Sequence, residues 1–261
     1  MTLLDPSKTD PNAPATGSAP VVLVTGAARR VGAEIARQLH AAGARVVLHY
    51  RNSGDEAERL AAELNTQRAA SAATVGGDLA RFGTADEVAA AALAHFGRID
   101  GLVNNASSFF PTPLGRIDRA AWDELVGSNL KGPLFLSQAL APEIRRRYGA
   151  IVNIVDIHAE RPLPHYPVYS AAKAGLAGLT RALAIELAPE ARVNGISPGP
   201  IEWPEDGQFS AEERQRIIGD TLLKRTGSAA DIARTVRFLI FDAPYVTGQI
   251  IAVDGGRSAH L

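Results

Sequence analysis

The chain has 261 residues, a formal net charge of −1 and no cysteine. A near-neutral charge balance argues against a nucleic-acid surface, and the lack of cysteine excludes disulfides and thiolate metal sites. No apolar run is as long as a membrane span, and the N-terminus lacks a signal-peptide pattern. We therefore expect a cytoplasmic protein without a metal site, in which a flexible tail at 1–19 precedes one domain at 20–261.

Apolar runs alternate with amphipathic helical segments along the whole domain. This alternation predicts an α/β fold, a Rossmann-like doubly wound parallel sheet in a single domain. The predicted strands are 20–25, 44–50, 72–75, 99–103, 150–155, 192–196 and 248–253.

Three further local patterns make structural predictions. Thr84 and Glu87 have the spacing of a helix-capping box. Residues 119–148 form one long helical region, in which Pro133 suggests a kink. Residues 201–227 carry charge but few periodic signals, so we expect a mobile lid there.

A glycine-bearing turn, TGAARRVG, follows the first strand and opens a helix. Backbone N–H groups at such a helix start face an anion, so this turn is typical of a phosphate cradle. Gly26 suits the turn, and Gly32 lets the helix pack closely on the strand. The alternative is an ordinary turn without a ligand, because Arg30 stands where related loops often carry glycine.

The end of the second strand indicates which dinucleotide binds. An acidic residue there would accept hydrogen bonds from the ribose 2′-hydroxyl of NAD, but the sequence is His49, Tyr50, Arg51, Asn52 and Ser53. Arg51 can pair with a 2′-phosphate and Ser53 can donate a hydrogen bond to it, which favours NADP. The alternative is that Arg51 is a solvated loop charge.

Other strand ends carry candidate contacts, because ligands of open parallel sheets lie beyond the carboxyl ends of the strands. Asp78 could meet an adenine amine or cap the next turn, and both readings stay open. Phe109 or Phe110 could offer a flat face to a heteroaromatic substrate, or pin the loop that carries them. A Pro198-Gly199 turn after the sixth strand is placed to hold a nicotinamide carboxamide.

Tyr169 and Lys173 lie four residues apart in an alanine-rich segment, so they share one face of a helix. An ammonium group beside a phenol lowers the phenol pKa, which would let Tyr169 exchange a proton with a substrate. The alternative is an exposed helical pair without function.

Asp156 ends the fifth strand, and Asn129 lies in the middle of a helical region. Asp156 is a candidate proton donor, although it could instead be a structural acid that holds the loop with His158 or His165. Asn129 needs hydrogen-bond partners inside an apolar helix face, and could hold a water or backbone group near Lys173.

Taken together, these residues resemble the short-chain dehydrogenase/reductases over roughly residues 20–256. The resemblance is carried by Thr25-Gly26 with Gly32, Asp78, Asn104-Asn105-Ala106, Asn129, Tyr169 with Lys173, Pro198-Gly199 and Asp254-Gly255-Gly256.

Within that superfamily the chain is similar to the pteridine reductases. The segments TGAARRVG, HYRNS, NNASSFFPTPL and NIVD carry this similarity. Most short-chain reductases have serine at the position of Asp156, and an aspartate there is the pattern of the pteridine reductases. Phe110 departs from that subgroup, which frequently has tyrosine at this position.

The similarity implies that NADPH lies along the strand ends and that a pterin stacks between the nicotinamide and Phe109. Tyr169 and Asp156 would supply protons, Lys173 would bind the nicotinamide ribose, and the protein would be a homotetramer. The implied cofactor contacts are Gly26, Arg29, Arg30, Val31, His49, Tyr50, Arg51, Asn52, Ser53, Asp78, Leu79, Asn105, Ala106, Ser107, Tyr169, Lys173, Pro198 and Gly199. The implied substrate contacts are Arg30, Ser107, Phe109, Asp156, Tyr169 and Trp203.

Three functions remain as hypotheses. The first is an NADPH-dependent reductase of dihydropterins, with dihydrofolate as a further substrate. The second is a carbonyl or 3-oxoacyl reductase, which the carboxylate of Asp156 disfavours because it would repel a carbonyl oxyanion. The third is an inactive NADP-binding sensor or scaffold, against which the intact Tyr169, Lys173 and Asn129 argue.

Overall fold

The computed structural model describes residues 19–203 and 209–260. The predicted flexible tail at 1–19 therefore lies outside the described residues except for its last position. Seven parallel strands form one sheet in the order β3-β2-β1-β4-β5-β6-β7, which confirms the predicted Rossmann-like α/β fold. The strands are β1 (Val21–Val24), β2 (Arg45–Tyr50), β3 (Ala72–Gly76), β4 (Gly101–Asn104), β5 (Ala150–Ile154), β6 (Arg192–Pro198) and β7 (Ile250–Val253).

Helices connect the strands and cover both faces of the sheet. They are α1 (Arg30–Ala41), α2 (Gly54–Gln67), α3 (Thr84–Phe96), α4 (Arg119–Val126), α5 (Gly132–Arg146), α6 (Pro167–Leu187), α7 (Ala211–Gly219), α8 (Ala229–Arg237) and α9 (Arg257–His260). Within the described ranges, every helix is too short or too polar to cross a bilayer.

The side chains of β1 alternate between two apolar layers, as the period of a strand requires. Val22 and Val24 pack in the layer under α1, α2 and α8, whereas Val21 and Leu23 pack in the layer under α3, α5 and α6. All four side chains are fully buried. This burial on both faces explains why the strand is a continuous apolar run in the sequence.

The long helical region at 119–148 is divided by a π-helical turn at Gly127–Lys131, after which α5 continues. Pro133 lies directly after this turn, and the flanking Lys131 and Gly132 are helical, so the region continues without a break. The irregularity observed is the π-turn that contains Asn129, and such turns are frequent at functional sites.

The capping box predicted at Thr84 and Glu87 is wrong. Helix α3 begins after Gly83, whose φ of 85° places it in the left-handed region, and no side chain caps this end. Thr84 is therefore already the first helical residue, one position too late for a cap.

The segment 201–227, expected to be a mobile lid, contains regular structure, and its mobility stays a prediction; its residues 204–208 lie outside the described residues. Helix α7 lies there and begins with a capping box: Ser210 Oγ accepts from the Glu213 N–H at 3.2 Å, and Glu213 Oε2 accepts from the Ser210 N–H at 2.8 Å. The S-x-x-E spacing was visible in the sequence and could have located this helix.

The strand order places β1 between β2 and β4, which opens a crevice at the carboxyl ends of β1 and β4. Thr25 holds the two strand ends together. Its hydroxyl oxygen accepts from the N–H groups of Asn105 and Ala106, both at 2.9 Å, and its carbonyl accepts from Asn105 Nδ2 at 2.9 Å. The glycine turn and the loop after β4 are therefore fixed side by side.

Candidate active site

The turn between β1 and α1 has the geometry of an anion cradle. Gly26 has a φ of 62°, and a Cβ on Gly32 would lie 2.1 Å from the Gly26 carbonyl oxygen. No side chain caps the start of α1, and its first turn contains no acidic residue. The backbone N–H groups of this helix end are therefore available to a phosphate.

A cavity of about 490 Å³ lies over this cradle, and we call it the cofactor cavity. Its glycine turn, open helix end and basic rim fit a dinucleotide. Of the residues implied by the family resemblance, it is lined by Gly26, Arg29, Arg30, Val31, Tyr50, Arg51, Asn52, Ser53, Asn105, Ala106, Ser107, Tyr169, Lys173, Pro198 and Gly199.

The other implied cofactor contacts, His49, Asp78 and Leu79, border a neighbouring space of about 140 Å³. Leu79 is buried. The Asp78 carboxylate accepts from the Ala80 N–H at 3.0 Å, so it caps the following turn, and it still faces this space.

His49 supports the glycine turn from below. Its Nδ1 accepts from the Gly26 N–H at 3.3 Å, and its Nε2 is 3.0 Å from the Gly77 carbonyl oxygen, to which it donates. Burial lowers the pKa of His49 to about 4. The imidazole is therefore neutral near pH 7, as acceptance by Nδ1 requires, and its role is to position the turn.

Two arginines at the rim of the cofactor cavity form ion pairs with carboxylates. Arg51 Nη1 lies 2.5 Å from Glu124, and Arg30 Nε lies 3.1 Å from Glu202. Arg30 also donates to the carbonyl oxygens of Glu202 and Trp203, and its φ of 53° is in the left-handed region. All four charged side chains are partly exposed, so each pair contributes about 0–1 kcal/mol and can yield to a phosphate.

Tyr169 and Asp156 meet where β5 ends and α6 begins. The Tyr169 hydroxyl donates to Asp156 Oδ2 at 2.7 Å, and Asp156 Oδ1 accepts from the His158 N–H at 2.8 Å. The carboxylate thereby caps the short 3₁₀ turn at Ile157–Ala159 while it faces the cavity. Phenol and carboxyl group are within direct proton-transfer distance.

Lys173 lies on the same face of α6 as Tyr169, as the four-residue spacing predicts, and both side chains are buried. Its Nζ donates to the Ile154 carbonyl oxygen at 2.8 Å and is 5.7 Å from the centre of the Tyr169 ring. Burial lowers the pKa of Lys173 to about 8.

The prediction that Lys173 lowers the pKa of Tyr169 is wrong for this structure. Burial and the adjacent Asp156 carboxylate raise the pKa of the Tyr169 phenol well above its usual value. Both effects disfavour the phenolate, and the ammonium of Lys173 is directed at a backbone carbonyl rather than at the phenol oxygen. Tyr169 therefore keeps its proton at neutral pH.

Asn129 is fully buried in the π-turn and holds the loop after β4. Its Oδ1 accepts from Ser107 Oγ at 2.7 Å, and its Nδ2 donates to the carbonyl oxygens of Ser108 and Leu125 at 2.9 and 3.0 Å. The sequence predicted hydrogen-bond partners for this amide and a water or backbone group held near Lys173. The structure gives the amide backbone partners in the Ser107-Ser108 loop and in its own helical region, and a role near Lys173 stays a prediction.

A second cavity of about 540 Å³ meets the first at Ser107, Asp156 and Tyr169, and we call it the substrate cavity. One ring in its wall, Phe109, stacks on Tyr166 at a centroid distance of 4.6 Å and meets the edge of Tyr169 at 4.8 Å. The implied substrate contacts all line this cavity: Arg30, Ser107, Phe109, Asp156, Tyr169 and Trp203.

The sequence did not identify several residues of this wall. They are His158, Leu163, Glu202, Phe209, Ile217 and Arg257. The capping box of α7 could have indicated Ile217. Glu202 pairs with Arg30, 172 residues away in the chain, and Arg257 is an isolated charge in the sequence. Only the folded arrangement reveals them.

A family model described as enoyl-(acyl carrier protein) reductase matches residues 26–258. Pteridine reductase 1 of Leishmania tarentolae is 41% identical over 283 aligned residues, which cover 92% of this chain and 97% of that protein. A 3-oxoacyl-(acyl-carrier-protein) reductase of Staphylococcus epidermidis is 37% identical over 237 residues, with 90% and 97% covered. These similarities place both pterin and carbonyl reductases among the relatives of the chain.

The neutral state of His49 gives a pH-dependent stability. The folded pKa of about 4 lies below the ordinary 6.5, so between these values the unfolded chain binds a proton that the native protein does not. The free energy of unfolding should therefore fall as the pH falls, by about 1–2 kcal/mol between pH 6.5 and 5. His49→Asn should be less stable at pH 7 and should lack this component in urea unfolding across that range.

His95→Asn, which removes an exposed imidazole, serves as the control for loss of a histidine. An unchanged pH dependence in His49→Asn would contradict the assignment of a neutral supporting role to His49.

Proposed function

The chain belongs to the short-chain dehydrogenase/reductase family and is an oxidoreductase with a nicotinamide cofactor. We propose that it is an NADPH-dependent reductase of pterins. Dihydrobiopterin-like compounds, with dihydrofolate as a further substrate, are the substrate class. The 41% identity to a pteridine reductase over 92% of the chain supports this choice.

The observation that carries the proposal is the 2.7 Å hydrogen bond from the Tyr169 hydroxyl to Asp156 Oδ2. Reduction of a C=N bond adds a hydride to carbon and a proton to nitrogen. A phenol and a carboxyl group at one place suit protonation of a nitrogen. A carboxylate at the same position would repel the oxyanion that forms when a carbonyl is reduced.

When bound, NADPH supplies the hydride. Tyr169, which retains its proton at neutral pH, donates that proton to the pterin nitrogen and regains one through Asp156. Asp156 faces the substrate cavity and can exchange protons with solvent through it. Asn129 holds Ser107 where the two cavities meet, and the Ser107 hydroxyl can orient the substrate ring there.

Phe109 supports a flat substrate. Its ring is fixed by Tyr166 on one side and by the edge of Tyr169, so it forms a rigid aromatic wall beside the proton donors. Rigid aromatic surfaces bind planar heterocycles by stacking, typically worth about 0.5–1.5 kcal/mol beyond the area that they bury.

The identity of 37% to a 3-oxoacyl-(acyl-carrier-protein) reductase supports a second candidate function, the reduction of 3-oxoacyl thioesters. Asp156 counts against it, since its carboxylate would repel the oxyanion that forms on the carbonyl oxygen. The inactive sensor or scaffold is the least supported function, because Tyr169, Lys173 and Asn129 all keep ordered partners. Rates with dihydropterins, dihydrofolate and 3-oxoacyl thioesters discriminate among the three.

The choice of cofactor can be tested at Arg51. We expect the purified protein to use NADPH at least about tenfold better than NADH in kcat/KM, because a guanidinium can pair with the 2′-phosphate. Arg51→Leu should lower this preference about 10-fold to 100-fold, mainly through the KM for NADPH. Arg37→Leu, which removes an arginine paired with Glu63 on the outside of α1, should keep the preference.

Equal rates of wild-type protein with the two cofactors would refute the role of Arg51. The assay is the oxidation of each nicotinamide cofactor at saturating dihydrobiopterin.

The proton donor can be tested with Tyr169→Phe. Turnover of dihydrobiopterin should fall by about 100-fold or more, since general acid catalysis typically contributes 10²–10⁴-fold. NADPH binding, measured by fluorescence titration, should change less than about threefold, because the retained ring still packs against Phe109. Tyr245→Phe, at a fully exposed position, controls for the loss of a phenol. Wild-type turnover in Tyr169→Phe would show that another group donates the proton.

The cytoplasmic location expected from the sequence stays a prediction. We also propose that the protein is a homotetramer. Ala171, Ala174, Gly178 and Ile185 are exposed on α6 and make one side of the helix mostly apolar, with Arg181 as its charged exception, which would suit helix packing between subunits. Light scattering should give about four times the chain mass of 27.5 kDa. A mass of one chain at micromolar concentration would contradict this expectation.

A further inference from the structure

The wall of the substrate cavity contains an arginine that the proposed reaction does not use. Arg257 lies directly after the turn that follows β7. The Asp254 carboxylate fixes this turn by accepting from the N–H groups of Gly256 and Ser258 at 2.8 and 2.6 Å. The backbone of Arg257 is therefore held in place, and its side chain lines the cavity.

The guanidinium of Arg257 lacks a partner within the described ranges 19–203 and 209–260. Its side chain makes no hydrogen bond or ion pair there, and its Nε is buried. The buried side chains of Ile157 and Ile217 line the same cavity, and burial lowers the pKa of Arg257 below its usual value. Arg257 is half-buried, so only part of its guanidinium is removed from water. A guanidinium stays charged in proteins, so one that is partly desolvated and has no bonded counter-ion favours an incoming anion.

Three carboxylates lie near Arg257, and two of them have other bonds. Asp156, Asp220 and Asp254 act on it through space, as does the positive Arg216. Asp156 is bonded to Tyr169 and to the His158 N–H, and Asp254 to the backbone of its turn. Because none of these carboxylates forms an ion pair with Arg257 in the described part of the chain, the guanidinium keeps its donors for a ligand.

The ligand is the substrate rather than the cofactor. Three arginines line the substrate cavity in the described residues: Arg29, Arg30 and Arg257. Arg29 and Arg30 also line the cofactor cavity, and Arg30 is paired with Glu202. Arg257 borders the substrate cavity alone, on the wall shared with Asp156 and Ile217.

We propose that Arg257 binds a carboxylate on the tail of the substrate, so that the enzyme prefers pterins with an anionic tail, the folate class, over pterins with a neutral tail. This inference rests on the proposed pterin reductase function. A ring held at Phe109 and Asp156 directs its substituent along the same cavity towards Arg257. A guanidinium binds a carboxylate through two parallel hydrogen bonds. A neutral hydroxylated tail would leave the charge of the guanidinium uncompensated.

The experiment compares dihydrofolate, which carries two carboxylates, with dihydrobiopterin, whose tail is neutral, at saturating NADPH. Wild-type protein should show the higher kcat/KM with dihydrofolate. Arg257→Met should raise the KM for dihydrofolate about 10-fold to 100-fold and leave its kcat within about twofold. The same variant should change kcat/KM for dihydrobiopterin less than about threefold, and Arg257→Lys should lose less than Arg257→Met.

Arg216→Met is the matched control, because it removes the same charge from an exposed position on α7 that does not line the cavity. It should leave both substrates within about twofold of wild type. Increasing sodium chloride should raise the KM for dihydrofolate more than that for dihydrobiopterin, and this difference should vanish in Arg257→Met.

An equal loss for both substrates in Arg257→Met would overturn the inference, since Arg257 would then act on Asp156 or on the fold. An Arg216→Met variant that loses as much activity with dihydrofolate as Arg257→Met would also overturn the inference, since the effect would then come from the general electrostatic field of the cavity. If Arg257→Met does not fold, Arg257→Lys provides the test. A loss of kcat/KM with dihydrofolate alone would support the inference, and an equal loss with both substrates would overturn it. Wild-type protein that reduces dihydrobiopterin but responds to no Arg257 variant would refute the inference alone, whereas reduction of neither pterin would refute the proposed function and the inference with it.

Discussion

The hydrogen bond between Tyr169 and Asp156 requires two separate elements to hold a fixed register. Asp156 leaves the end of β5, and Tyr169 lies in the first turn of α6. The bond from Lys173 Nζ to the Ile154 carbonyl ties these elements together one helical turn beyond Tyr169. Since Ile154 ends β5 and Lys173 is buried, this bond, together with the packing of Leu176 and Ala177 on Val155, holds the helix against the strand and supports the 2.7 Å contact at the cavity.

The same burial determines how the pair can act. A phenol in a low-dielectric site beside a carboxylate is a weaker acid than a free tyrosine, as the raised pKa of Tyr169 indicates. Such a group holds its proton securely but donates it readily only to a basic acceptor or when a second group replaces the proton. Asp156 provides that replacement across one short hydrogen bond, which fits the protonation of a ring nitrogen better than that of a carbonyl oxygen.

The sequence predicted what depends on local periodicity and on the shared edge of the sheet. The strands, the glycine turn and the side chains at the carboxyl ends follow from apolar runs and from parallel topology, so Gly26, Asp156 and Tyr169 were expected to lie together. Electrostatic relations were less predictable. The Tyr169–Lys173 spacing suggested a lowered pKa, but the direction of an ammonium group depends on which carbonyl it can reach. The partners Glu124 and Glu202 are more than 70 residues from Arg51 and Arg30.

The distribution of cations separates the two ligands. Arg51 and Arg30 border the cofactor cavity and are paired with partly exposed carboxylates, and such pairs exchange for a phosphate at little cost. Arg257 lines the substrate cavity, its Nε is buried and it lacks a carboxylate partner in the described chain, so its charge is only partly compensated until an anion binds. Affinity for a carboxylate tail therefore arises from relief of an existing cost, which a neutral tail cannot provide. Tyr169 and Asp156 recognise the ring of the substrate, and the unpaired guanidinium of Arg257 recognises its tail.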